Sequence, residues 1–122
     1  MGTTLVVDGA NVVGSRPDGW WKDRAGAARR LHEQLVVADL PHDRVVLVLE
    51  GGAKGGVRAG RDAHVTTVHA PKDGDSEIER QAEVALARGD RVTVITADGF
   101  LRARVQGKGA MPMSPSWLLD RL

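Results

Sequence analysis

Three valine-rich runs recur along the chain: TTLVVDG at 3–9, RVVLVLEG at 44–51 and RVTVITADG at 91–99. Each closes on an acid and a glycine. Runs that stay apolar at successive positions predict strands covered on both faces, as in a parallel sheet. A fourth run, DAHVTTVHAP (62–71), is more polar and suits a sheet edge, and AMPMSP (110–115) is a weaker fifth candidate. Between the runs the apolar spacing changes from two to three and four. In DRAGAARRLHEQLVVADL (23–40), Ala28, Leu31, Leu35 and Ala38 trace one helical stripe behind Asp23 as N-cap. In GDSEIERQAEVALARGD (74–90), Ile78, Ala82, Ala85 and Leu86 do the same, and Gly89 is placed to stop the helix. DGFLRARV (98–105) and PSWLLDRL (115–122) predict shorter helices, and GGAKGGVRAGRD (51–62) a long loop. Alternating strands and helices predict an α/β domain with a largely parallel sheet.

At 122 residues the chain is expected to form one domain, 1–122, large enough to bury a core without staples. The absence of cysteine removes disulfides, thiolate metal sites and thiol nucleophiles together, and fits a reducing compartment. No apolar run approaches the roughly 20 residues that span a bilayer. The first residues lack the basic flank of a secretory signal, so a cytoplasmic location and no membrane partner are expected. A net charge of +1 names no partner. Arginine supplies 13 of the 17 basic residues, which suits phosphate contacts but fits a GC-rich bacterial genome better.

The acids carry more information. Ligands of open parallel sheets bind beyond the carboxyl ends of the strands. Asp8 and Asp98 are expected at such ends. On the helix over 74–90, Asp75 falls about 60° from Ile78 and thus on the apolar side, with Glu79 one turn further on. Glu77 is expected to point away into solvent. Three aspartates with no obvious cation among them would repel one another, and a divalent cation removes that penalty. Oxygen donors without cysteine or a histidine cluster favour Mg²⁺ or Mn²⁺ over zinc. Asn11, the only asparagine, could add a neutral oxygen or hold an aspartate. The ordinary alternative is that each aspartate is a helix cap or turn former.

VVDGANVVG, GDSEIER and VITADGFLRARV, in this order and spacing, resemble the NYN domains of the PIN-like nuclease superfamily over nearly the whole chain. The resemblance implies a three-layer α/β/α fold around a mainly parallel sheet of four to five strands. It also implies metal-dependent hydrolysis of RNA phosphodiester bonds. Asp8 matches the first-strand acid, Asn11 the asparagine after it, Asp75 the helix acid with Ile78 and Glu79 completing its motif, and Asp98 the acid after the fourth strand. Ala10 stands where a tyrosine or other larger residue is common, and Ser76 where many relatives carry a second acid. Short PIN-like domains often pair, so a homodimer is a further expectation of the resemblance.

On this reading Asp8, Asp75 and Asp98 bind metal, with Asn11 and Glu79 completing the catalytic set and Asp73 an outer acceptor. An acidic pocket repels a polyanion, so basic residues must border it. Lys54, Arg58 and Arg61 in the glycine-rich loop, and Arg102 and Arg104 after Asp98, are the candidates for holding single-stranded or structured RNA. Trp20 and Trp21 could stack unpaired bases or simply pack on the next helix. His69 could reach phosphate, whereas His32 in LHEQL lacks the second histidine of a zinc-protease motif. GGAKGG has no following Gly-Lys-Ser/Thr and is not a P-loop. A haloacid-dehalogenase phosphatase would need an acid where Ala10 stands, and a receiver domain an aspartate after its third strand. The rival from another class is a non-catalytic RNA-binding or interaction module that keeps the fold.

Overall fold

The computed structural model describes residues 2–122. Six strands form one sheet in the order β3-β4-β2-β1-β5-β6. They are β1 (Thr3–Asp8), β2 (Arg44–Leu49), β3 (Gly60–Asp62), β4 (Val65–His69), β5 (Arg91–Ile95) and β6 (Met111–Met113). Every pairing is parallel except β3 with β4. The helices are α1 (Gly9–Gly14), α2 (Arg24–Val37), α3 (Gly74–Ala87), α4 (Gly99–Lys108) and α5 (Pro115–Leu119).

The three valine-rich runs are the three central strands, and their side chains alternate between two cores as the strand period requires. Leu5, Val7, Val45, Leu47, Leu49 and Ile95 face Ala28, Leu31, Leu35 and Leu118 of α2 and α5. Val6, Val48, Val92 and Val94 face Ile78, Ala82, Ala85, Leu101 and Val105 of α3 and α4. Both faces of the sheet are thus covered, giving the three layers that the resemblance implies. Parity also fixes the site. In β1, β2 and β5 the even-numbered positions look toward α3 and α4, so Asp8, Glu50 and Thr96 inherit that side.

The sheet has six strands where four to five were predicted, because the glycine-rich stretch is more ordered than a loop. Gly51–Gly56 winds as a 3₁₀ turn, and Gly60–Asp62 returns as β3, antiparallel to β4 around Ala63 at φ 55°. The period-two signal fails in so short a strand, all three residues of which are exposed. The helix α1 was also not predicted; six residues hold too few apolar positions to show a period. Glycine follows Asp8 for a steric reason. A Cβ on Gly9 would sit 2.6 Å from the Val48 carbonyl oxygen, so only glycine lets α1 start against β2.

Glu77 corrects the expectation of a solvent-facing acid. It is buried, because the covered arc of α3 centres on Ile78 and Ala85 rather than on Leu86. Burial works to raise its carboxyl, but hydrogen bonds from Arg80 and Gln81 hold it below the ordinary range.

Candidate metal and RNA site

The first acid lies at the centre of the sheet. Asp8 ends β1, is 4% exposed, and caps α1 by accepting the Asn11 backbone N–H at 3.2 Å. Its other oxygen accepts the Thr96 hydroxyl at 2.9 Å from the end of β5. Thr96 in turn accepts the Asp98 N–H at 3.2 Å, so one buried hydroxyl ties two of the predicted acids together. Asn11 joins the same two segments from outside. Its side-chain oxygen accepts the Ala97 N–H at 2.9 Å, which makes it a brace between α1 and the β5 exit.

Asp98 caps α4 through Oδ1, which accepts the Leu101 N–H at 2.9 Å. The helix cap of α3 is Asp73, bonded to the Ser76 N–H at 2.8 Å, so Asp75 is released from that duty. Capping and a shared acidic site are therefore compatible for Asp8 and Asp98, while Asp75 has no capping role.

One acid of the neighbourhood escaped the sequence reading. Glu50 follows β2 and accepts the Gly74 N–H at 2.6 Å, which sets it beside the start of α3. Its signal was visible: RVVLVLEG ends like the other two runs, and strand parity places its acid on the same side as Asp8. Thr96 was missed because a hydroxyl inside an apolar run reads as a strand residue.

The electrostatics follow from this gathering. Burial raises the Asp8 carboxyl most, against hydrogen bonds from Thr96 and Asn11 that lower it, and repulsion from Asp75 and Glu50 raises it further. Asp75 is also raised, by burial first and then by Asp98, Glu50 and Asp73, with Arg104 opposing. Among the described residues, no three His, Asp or Glu side chains stand close enough as placed to hold one ion. The acids share a field but do not form a cage. As donors they are all hard oxygens whose charges disfavour one another, a set that suits a divalent cation chemically.

The predicted basic residues divide. Arg104 pairs with Glu79 at 3.4 Å, and Lys108 stands 3.9 Å from the same carboxylate, so Glu79 is held between α3 and α4 by cations. Arg102 donates to the Thr96 carbonyl at 3.0 Å and braces the β5 exit. Arg58 and Arg61 border a separate groove with Arg29 and His32, on the β3 side of α2. Lys54 belongs to the 3₁₀ turn that follows Glu50. His69 bonds the Val57 carbonyl at 2.7 Å instead of facing outward. Trp20 lines a cavity that Glu50 also borders, whereas Trp21 is exposed.

Residues 5–122 match the family model for the YacP-like NYN domain. The chain belongs to the YacP-like NYN family. NYN domains are PIN-like nucleases, so the resemblance read from the three motifs is borne out at the level of the family. Two crystal structures of Rae1 (YacP) from Bacillus subtilis share the fold. One superposes with a TM-score of 0.71 at 23% identity, over 98% of this chain and 72% of that one. The other, of a point mutant, gives 0.72 at 21% identity over 97% and 73%. No curated protein matches the chain. No helix among the described residues of this NYN domain is long and apolar enough to cross a membrane.

Two outcomes are expected of this geometry. Thr96→Val keeps the shape of a fully buried side chain but removes the hydroxyl that Asp8 and Asp98 share. Leaving those groups unpaired costs about 1–3 kcal/mol of stability, measurable by urea denaturation. A loss below half a kcal/mol would show that the hydroxyl does not organise the acids. The second concerns pH. Because its folded pKa is raised, Asp8 is destabilising once ionised: the penalty is absent below the ordinary 3.8, appears as pH rises through the folded value, and is complete above it. Asp8→Asn removes that penalty. In metal-free protein the variant is therefore the more stable at neutral pH, and its advantage shrinks on acidification through the raised range. A gap that widens toward acid would refute the assignment.

Proposed function

We propose that this NYN domain is a metal-dependent ribonuclease that hydrolyses RNA phosphodiester bonds. The observation that carries the reading is the gathering of Asp8, Glu50, Asp75 and Asp98 from four segments at one end of the sheet, where Asp75 and Glu50 repel Asp8, and Asp98 and Glu50 repel Asp75. Asp8 is buried and the other three are partly covered, and natural chains rarely bury such a charge without a counterion. Asp8, Asp75 and Asp98 would hold Mg²⁺ or Mn²⁺, with Glu50 as an adjoining fourth acid. A divalent cation supplies activation of water and neutralisation of phosphate charge. The protein's own contribution is positional. Thr96 orients Asp8, Asn11 fixes the β5 exit against α1, and Arg102 fastens the loop that carries Asp98. Arg104 and Lys108 are paired with Glu79 and Glu83, which fastens α4 to α3 beside the acidic centre. Single-stranded RNA is the proposed substrate and the cytoplasm the proposed setting.

The splay of the carboxylates is what favours the rival, a non-catalytic RNA-binding module. End-labelled single-stranded RNA incubated with the purified protein separates the two. Cleavage is expected in Mg²⁺ or Mn²⁺ and none in EDTA. RNA that binds equally in both and stays intact would establish the rival.

A further inference from the structure

A cavity of about 350 Å³ opens beside the acids, lined by Ala10, Val13, Trp20, Arg24, Glu50 and Lys72 among others. Its size lies at the small end of the range for ligand pockets, about 300–1,000 Å³, which fits one planar group rather than a folded helix. Its composition is that of a nucleotide contact. Val13 and Trp20 give an apolar and aromatic wall, and the Arg24 guanidinium lies over the Trp20 ring at 5.1 Å. A cation–π pair of this kind sets a positive charge beside an aromatic wall, a combination that suits a flat π-system next to a phosphate. No carboxylate pairs with Arg24 or Lys72 among the described residues, so both cations are available to phosphate. The larger groove by Arg29 and Arg61 also carries Glu33 and Asp62 and does not border the acidic end.

Two residues join this cavity to the acidic end. Glu50 is a wall of the cavity and repels both Asp8 and Asp75. Ala10 lies two residues after Asp8 and lines the cavity with no more than a methyl group.

We propose that this cavity is a nucleobase subsite, taking one unpaired base of the RNA strand next to the phosphate presented to Asp8, Asp75 and Asp98. The idea deepens the nuclease reading and rests on it for the position of that phosphate. A base inserts against the Trp20–Arg24 wall, and Lys72 meets the adjoining phosphate. A paired base cannot enter, so the subsite selects single strands by shape. Stacking of this kind is insensitive to sequence, because every base offers a π-face.

The test uses short single-stranded RNAs, each lacking one base at a different position. Binding is read by fluorescence anisotropy in EDTA, and cleavage as kcat/KM in Mn²⁺. One abasic position beside the cut is expected to weaken both on the order of tenfold. In Ala10→Leu, which fills the cavity from an exposed position of α1, and in Trp20→Ala, the intact RNA loses that factor and the abasic RNA loses nothing more. Thermal melting confirms that both variants fold. If every abasic position is neutral, or Ala10→Leu keeps the full abasic effect, the subsite is overturned while cleavage still stands. If abasic coupling appears in binding but no RNA is cut, the subsite stands and the nuclease reading falls. No binding and no cleavage overturns both.

Discussion

Asp8→Asn is expected to lower the rate of RNA cleavage by about 10²–10³-fold or more, the usual cost of deleting one preorganised electrostatic group. The substitution is nearly isosteric. Asparagine keeps an oxygen to accept the Asn11 N–H, and its amide can still face the Thr96 hydroxyl. What disappears is the charge at the centre of the acidic end. The fold should survive: burial first, with repulsion from Asp75 and Glu50, raises the Asp8 carboxyl on balance against the hydrogen bonds from Thr96 and Asn11, so the anion is a net cost to the folded state. Melting temperature therefore holds or rises while activity collapses, a pattern that structural damage does not produce. Cleavage within about threefold of the unsubstituted protein would remove Asp8 from the chemistry.

The largest expected loss of stability comes from a glycine of the 3₁₀ turn, Gly56, where it packs on α2. A Cβ on Gly56 would come within 2.7 Å of the Ala25 carbonyl carbon, a contact with the backbone of α2 that no rotamer change relieves. Gly56→Ala should cost about 3 kcal/mol, the upper part of the range for overpacking. For a chain of this size that lowers the melting temperature by roughly 10 °C. Gly55→Ala is the matched control, since its Cβ would meet the Ala25 Cβ at an ordinary 3.9 Å. The two variants change the same turn by the same methyl group. Equal melting temperatures would mean that the turn lifts off α2 at no cost and does not hold the loop after Glu50 in place.

The central strands and the order of the acids were legible because both depend on local pattern. Val6, Val7, Val46 and Val48 announce a sheet covered on both faces, and an acid that closes such a strand stands where parallel sheets bind their ligands. The site was less legible wherever it depends on partners distant in sequence. Glu50 and Thr96 acquire their roles from strand parity and from lateral pairing between β1, β2 and β5. Arg102 and Arg104 were chosen as cations for RNA, but a carbonyl and Glu79 now engage them, contacts that only the docking of α4 creates. Glu77 was misjudged by one step around the helix. A stripe of small residues such as Ala82 and Ala85 locates its own centre poorly, because alanine is tolerated on either side.

The outer strands constrain how this domain can associate with others. β3 and β6 span three residues each, Pro112 has no N–H to offer, and Arg61 and Asp62 bring charges to the opposite margin. Short, charged or proline-bearing margins discourage strand addition. Copies of this chain that pair are therefore steered toward helices or loops, and a continuous intermolecular sheet, with the fibre growth it invites, is disfavoured.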